Sequence, residues 1–194
     1  MKTTSRYINN TSHSVALLYA AILSMLVFAT TAKATDPVIN YSFPIRVNFQ
    51  PSTSALPVDK FVWNADFGGV FSFKDGFRYG WDKDIQSLAR ERNIHPLQKR
   101  DTHVEVGGTW EFELPEIPGR KYNIFLVCGD PLGSAKSINS VVIEGVEVID
   151  QDGPDKFDVI NLQGVPVDDG KLTITPAASA SNLKLTHIKI SRAN

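Results

Sequence analysis

The chain of 194 residues carries 20 Lys+Arg against 21 Asp+Glu, 42% hydrophobic residues and a single cysteine. Near-zero net charge supplies no basic field for phosphates, which argues against a nucleic-acid partner. One cysteine excludes an intramolecular disulfide and any multi-cysteine zinc or iron–sulfur centre, and the length suits one domain or two small ones.

The first segment reads as an export signal. Lys2 and Arg6 precede an apolar run from Val15 to Ala29, interrupted only by Ser24 and followed by Ala32-Lys33-Ala34. That order is n-region, h-region and A-x-A cleavage site, and the run is short of the roughly 20 residues that cross a bilayer. Cleavage after Ala34 removes Lys2, Arg6 and Lys33 and no acid, leaving 17 basic against 21 acidic residues, a net charge of −4. The expected organisation is a signal peptide at 1–34, a short lead at 35–44 and a single domain at 45–194, secreted or periplasmic, with no membrane span once cleaved.

From Ile45 onward, short alternating runs are punctuated by Gly, Pro, Asn and Asp. Ile45–Phe49 reads as a strand ended by Gln50-Pro51. Trp110-Glu-Phe-Glu-Leu114 puts three apolar side chains on one face and two carboxylates on the other, the pattern of a half-buried strand. Tyr122–Cys128 is apolar at nearly every position and predicts a central strand covered on both faces, with Cys128 a buried, inert thiol. Ser140–Ile149 predicts two strands about Glu144-Gly145, and Phe157–Leu162, Lys171–Thr175 and Leu183–Ile190 predict three more. Asp84–Asn93 suits one short helix. Many short strands without intervening helices predict an all-β fold, a β-sandwich.

Between the first strand and Thr102 lie about fifty residues with little regular pattern, a length usually associated with function. Phe61, Trp63, Phe67, Phe71, Phe73, Phe77, Tyr79 and Trp81 place eight of nineteen aromatics within 21 residues. Such density argues for packing rather than disorder. An indole or phenol can take the C–H face of a pyranose while planar polar groups orient its hydroxyls. Trp63, Tyr79 and Trp81 are the expected platform, and Arg78, Asp75 and Asp82 the polar grips. The competing reading is that these rings are core.

Val-Asn-Phe-Gln-Pro (47–51), Arg-Tyr-Gly-Trp (78–81), Arg-Glu-Arg-Asn (90–93), Arg-Asp-Thr (100–102), Trp-Glu-Phe-Glu-Leu-Pro (110–115), Tyr-x-Ile-x-Leu-Val-x-Gly-Asp-Pro (122–131) and Asp-Gly-Lys-Leu-Thr-Ile (169–174) follow one another in an order that extends over residues 45–190. This order resembles malectin-like and related carbohydrate-binding modules of the galactose-binding-like β-sandwich class. The resemblance implies a jelly-roll-like sandwich with ligand contacts on loops at one end: Tyr79 and Trp81 before the central strand, and Asp130 after it. Trp63 and Arg78 join them from local chemistry. Arg90, Arg92, Arg100 and Asp101 are read as internal pairs that pin the long connection. Similar domains accompany carbohydrate-active enzymes, so the implied partners are a glycan or polysaccharide and a separate enzyme of that kind.

Glu111 and Glu113 stand at a spacing near that of a glycosidase pair, but any alternating strand produces it and a solvated face is favoured. No Gly-x-Ser-x-Gly elbow is present, and His95, His103 and His187 lack metal-ligand spacing. Asp150, Asp152, Asp155 and Asp158 gather oxygen ligands at a density that suits a structural calcium; a solvated turn is the favoured reading, so no cofactor is expected. The leading expectation is a secreted, non-catalytic carbohydrate-binding domain. The alternatives are a small secreted polysaccharide hydrolase, lyase or esterase-associated protein, and a structural or adhesion sandwich with buried rings.

Overall fold

A computed structural model describes residues 38–132 and 137–194. The expected signal peptide, and the first residues of the lead, lie outside the described residues. Val38–Asn194 forms one compact unit. No helix among the described residues is long and apolar enough to cross a membrane.

Among the described residues, thirteen strands form two sheets. The first sheet runs in the order β11 (Phe157–Pro166), β8 (Lys121–Gly129), β13 (Lys184–Arg192), β1 (Ile45–Phe49), β2 (Asn64–Asp66). At the start of β13 its free edge pairs instead with β6 (Thr102–Glu105), which carries β5 (Ala89–Glu91). The second sheet runs β10 (Val146–Val148), β9 (Val141–Ile143), β12 (Lys171–Pro176), β7 (Trp110–Glu113), β4 (Phe77–Trp81), β3 (Ser72–Lys74). The pairings are antiparallel except β1 with β2. The fold is the expected β-sandwich.

Period-2 alternation decides which side chains fill the space between the sheets. From β7, Trp110 and Phe112 point inward while Glu111 and Glu113 remain half-buried. They meet Val47 and Phe49 of β1, Tyr79 and Trp81 of β4, Ile124 and Leu126 of β8, and Ile188 and Ile190 of β13, all buried. Phe49 meets the Trp110 ring edge-on at 5.3 Å, and Tyr79 stacks on Phe112 at 5.4 Å. Each such side chain contributes roughly 1.5–3 kcal/mol through burial.

Three expectations are corrected. β8 is not covered on both faces throughout: Asn123 and Phe125 in its first half are only half-buried, and full burial begins at Leu126. Asp84–Asn93 is not a helix, because Asp84 Oδ1 accepts the Gln86 N–H at 3.0 Å to make a tight turn into the 3-10 segment Gln86–Leu88. The chain then extends as β5 and pairs with β6. The long connection is also more regular than its sequence suggests, since it contains β2, β3, β4 and β5. Cys128 is fully buried, as expected, and burial pushes its thiol well above the usual range.

Two glycines at positive φ separate tight packing from simple turning. Gly145, with Glu144, forms the hairpin turn between β9 and β10, at φ +73 with nothing near its missing side chain. Gly80, in β4, has φ +139, and a Cβ there would lie 2.8 Å from the carbonyl oxygens of both Gly69 and Val70. Chemical denaturation should show Gly145→Ala costing about 1–2 kcal/mol, the ordinary penalty of that conformation. Gly80→Ala should cost at least about 3 kcal/mol, because conformational strain and a backbone collision add. Equal losses at the two positions would contradict this packing.

Candidate functional site

The aromatic connection is organised by one carboxylate. Asp66 ends β2 with its side chain fully buried. Its Oδ1 accepts the Trp81 indole N–H at 3.0 Å and the Gly68 amide at 2.8 Å, and its Oδ2 accepts the Trp110 indole N–H at 3.0 Å. The Lys74 ammonium stands 3.5 Å from Oδ2. Three donors and a cation offset the cost of burying the charge.

This arrangement overturns the expected ring platform. Trp81 is 1% exposed and Tyr79 0%. The Tyr79 hydroxyl donates to Asp75 Oδ2 at 2.7 Å and lies 2.9 Å from the Ala65 carbonyl oxygen, while the Lys74 ammonium sits 4.3 Å from its ring centroid. Burial, then the Asp75 hydrogen bond, raises the phenol well above its usual range. Trp63 is 8% exposed and stands apart from the other two. It packs edge-on against His187, on the face of β13 opposite the core residues Ile188 and Ile190, and donates to Asp59 Oδ1 at 2.9 Å. Arg78 is half-buried on β4, with Nε 3.9 Å from Glu113 Oε2.

Asp130 is corrected in the same way: its side chain is buried inside a protein network. Arg92 forks it, Nη2 donating to Oδ2 at 2.6 Å and Nε to Oδ1 at 3.1 Å, and the Leu132 amide donates to Oδ1 at 2.9 Å. Burial opposes ionisation of Asp130, but these donors outweigh it and hold the carboxyl below the usual range. His103 Nε2 lies 3.5 Å from Asp130 Oδ2, and among the described residues neither ring nitrogen has a hydrogen-bond partner. Asp101 gathers the amides of Asn93, Ile94 and His95 at 2.6–2.8 Å. Arg92 and Asp101 therefore pin the connection: their side chains bind other groups, and the Arg92 backbone N–H donates to the Asp101 carbonyl at 3.0 Å.

What remains open to solvent is a groove of about 630 Å³ along one edge of the sandwich. The segment leading into β1, the residues before β2 and the β3–β4 turn border it, supplying Phe43, Arg46, Lys60, Phe61, Asn64, Asp75 and Phe77. Phe61 is 40% exposed, and the Arg46 guanidinium lies over its ring at 4.0 Å. A smaller hollow of about 250 Å³ lies between Ala55–Asp59 and Pro96–Lys99, with a mainly apolar wall from Leu56, Pro57, Pro96 and Leu97. Phe61 is one of eight aromatics in the connection, and only its neighbour Lys60 marks it locally, because its partner Arg46 lies on β1. Among the aspartates, Asp150, Asp152 and Asp158 converge.

No family model matches the chain, and no curated protein is similar to it. Several solved structures are similar to the chain. A calcium-binding mutant of Bacteroides uniformis beta-glucuronidase 2 aligns at 15% identity with a TM-score of 0.50, over 77% of this chain and 18% of that one. The ANX2 ectodomain from Arabidopsis thaliana aligns at 14% identity and 0.46, over 76% and 41%. The complex of plant peptide RALF23 with FER and LLG2 gives 16% and 0.44, over 79% and 41%. The chain spans less than half the length of each, and the likeness to the glucuronidase, at 15% identity, is one of fold alone.

Burial pushes both His103 and His187 down to about 4 from the ordinary 6.5. The unfolded chain takes up these protons near pH 6.5 and the native chain only near 4. The stability from burying neutral rings is therefore complete above pH 6.5 and is lost as pH falls toward 4. Thermal melting across that window should fall less steeply for His187→Gln than for the unaltered protein; parallel curves would contradict the assignment.

Proposed function

We propose that this chain is a secreted, non-catalytic carbohydrate-binding domain that takes an extracellular glycan or polysaccharide in the groove beside Phe61. The observation that carries this reading is the combination of ring and polar groups there. Phe61 and Phe77 offer apolar surface to the C–H face of a sugar, and Arg46, Lys60, Asn64 and Asp75 stand around it as donors and acceptors for hydroxyls. The groove replaces the expected ring platform, whose polar atoms are already spent: Trp81 donates to Asp66, Tyr79 to Asp75 and Trp63 to Asp59.

The non-catalytic part rests on the carboxylates. Glu111 is held by Lys171 at 3.0 Å and Glu113 lies near Arg78, so neither stands free opposite the other across a cleft. The secreted or periplasmic part rests on the leader sequence. Sites of this size are weak one at a time, and a separate carbohydrate-active enzyme or repeated modules would raise the avidity.

A second reading, a structural or adhesion module with a protein partner, is favoured by the burial of Trp63, Tyr79 and Trp81 and by the apolar hollow at Leu56 and Leu97. A glycan array probed with the purified protein separates the two. Binding to one glycan class that falls at least tenfold in Phe61→Ala, with unchanged melting temperature, is expected. Silence across the array, or binding indifferent to Phe61→Ala, overturns the groove reading.

A further inference from the structure

The outer face of the first sheet brings cations together beside the Phe61 groove. Alternation along β1, β13 and β8 sends Ile45, Val47, Ile188, Ile190, Ile124 and Leu126 into the core, so Arg46, Lys189 and Phe125 lie on the opposite face. The strand register sets them in one row: Arg46 pairs with Lys189, Lys189 with Phe125, and Phe125 with Asn161 of β11. From β1 to β11 the row crosses three strand spacings, about 14 Å. Arg46 borders the groove of about 630 Å³. Lys189 borders a second hollow of about 220 Å³ on the sheet face, with Asn123, Phe125, Asn161, Gln163 and Ser191. The neighbouring pair Arg46 and Lys189 thus joins the two hollows.

The cations gathered here rest on rings. The Arg46 guanidinium lies 4.0 Å from the Phe61 centroid and the Lys60 ammonium 5.4 Å from it. Lys189 stands 5.4 Å from the Phe125 centroid, and Arg192, further along β13, 4.8 Å from that of Phe43. Among the described residues the carboxylates pair with other cations, Lys74, Arg78, Arg92, Lys99 and Lys171. A ring covers the face of a guanidinium and leaves its in-plane N–H donors pointing outward; Arg46 spends one of them on the Pro44 carbonyl, at 3.4 Å. Like charges directly opposite on a sheet face repel, and an anionic group set between Arg46 and Lys189 turns that repulsion into attraction. Asp75, the carboxylate that borders the groove, already accepts the Tyr79 hydroxyl. Among the described residues lining the sheet-face hollow, none is acidic. The whole chain carries a net charge of −1, so attraction for a polyanion arises from this local convergence alone.

We propose that the ligand of the groove is an anionic polysaccharide, bearing carboxylate or sulfate groups, whose chain continues from Phe61 across Arg46 and Lys189 onto the amide-lined face at Asn123, Asn161 and Gln163. This rests on the reading of the groove as a glycan site and adds the charge of the ligand and its path. Phe61 and Phe125 take sugar C–H faces, and Arg46, Lys60 and Lys189 take the acidic groups through charge-assisted hydrogen bonds. The carboxamides beyond them are already oriented for hydroxyls: Asn123 Oδ1 accepts the Gly164 amide at 3.0 Å, and Gln163 Nε2 donates to Asn161 Oδ1 at 2.7 Å. Carboxylate and sulfate oxygens meet the same donors, so the shared chemistry defines the class.

Binding of the purified protein to two pairs of immobilised polymers tests it: polygalacturonate with its methyl ester, and dextran sulfate with plain dextran. At least one charged polymer should bind at least tenfold more tightly than its uncharged counterpart, and the preference should shrink as ionic strength rises. The pair that responds tells carboxylate from sulfate. Lys189→Gln, outside the groove, should weaken binding of the charged polymer at least fivefold with an unchanged melting temperature, whereas Lys83→Gln, at an exposed lysine elsewhere, should leave it unchanged. Charged and uncharged polymers bound alike, neither charged polymer bound, or undiminished binding in Lys189→Gln overturns the proposal. Neutral glycans that still bind and still depend on Phe61 would in that case leave the groove reading standing, so the two failures are distinguishable.

Discussion

The buried Asp66 carboxylate is the constraint on which the sandwich interior depends. It belongs to β2 at the edge of one sheet, while the indoles it holds belong to β4 and β7 in the other. A buried charge is tolerated only where donors surround it, and here the donors are the polar atoms of the two largest core side chains. The link fixes the rotamers of Trp81 and Trp110 as well as the distance between the sheets. Phe49 then meets both indoles, at 6.2 and 5.3 Å, and the remaining rings pack outward from them. Removing the acid would leave two indole N–H groups and an amide without an acceptor, a larger loss than that of an ordinary surface pair.

The same constraint relocates function. Once Trp81 and Trp110 turn inward, and Tyr79 is committed to Asp75 and Phe112, the aromatic-rich connection is largely core. The short β2 lies parallel against β1 and places Asn64 beside Arg46, whose carbonyl accepts the Asn64 side-chain amide at 3.0 Å. That edge, with the β3–β4 turn opposite, forms the groove. A second set of buried polar contacts, Arg92 with Asp130 and Asp101 with three successive amides, holds the rest of the connection against the first sheet. Acceptors thus decide where the indoles and Tyr79 are held, whereas Phe61, with no polar atom to satisfy, stays 40% exposed at the groove.

Much of the architecture was legible wherever alternation was long enough. Trp110–Leu114, Tyr122–Cys128 and the Glu144-Gly145 hairpin are local patterns, and the strands formed there. The β3–β4 hairpin was equally available: Asp75-Gly76 sits between Phe71, Phe73 and Phe77, Tyr79, Trp81, an Asp-Gly turn flanked by alternating rings. Both turn residues have positive φ, as that turn demands. β2 was not legible, because Asn64-Ala65-Asp66 is three residues with two polar side chains and takes its form from parallel pairing with β1. The orientation of the indoles was hidden for a related reason: Asp66 is 15 residues from Trp81 and 44 from Trp110. Asp150 and Asp158 could be counted in the sequence, whereas their hydrogen bonds from Asn139 depend on strands folding back.

Asp66 holds two of the three indoles inside the sandwich. Hydrogen exchange of the three indole N–H groups, followed by NMR, tests it directly. The account predicts that two of these resonances, Trp81 and Trp110, exchange as slowly as core strand amides, that Trp63 exchanges faster through its exposed partner Asp59, and that Asp66→Asn accelerates the two slow ones together. Rapid exchange of Trp81 and Trp110 in the folded protein would contradict it.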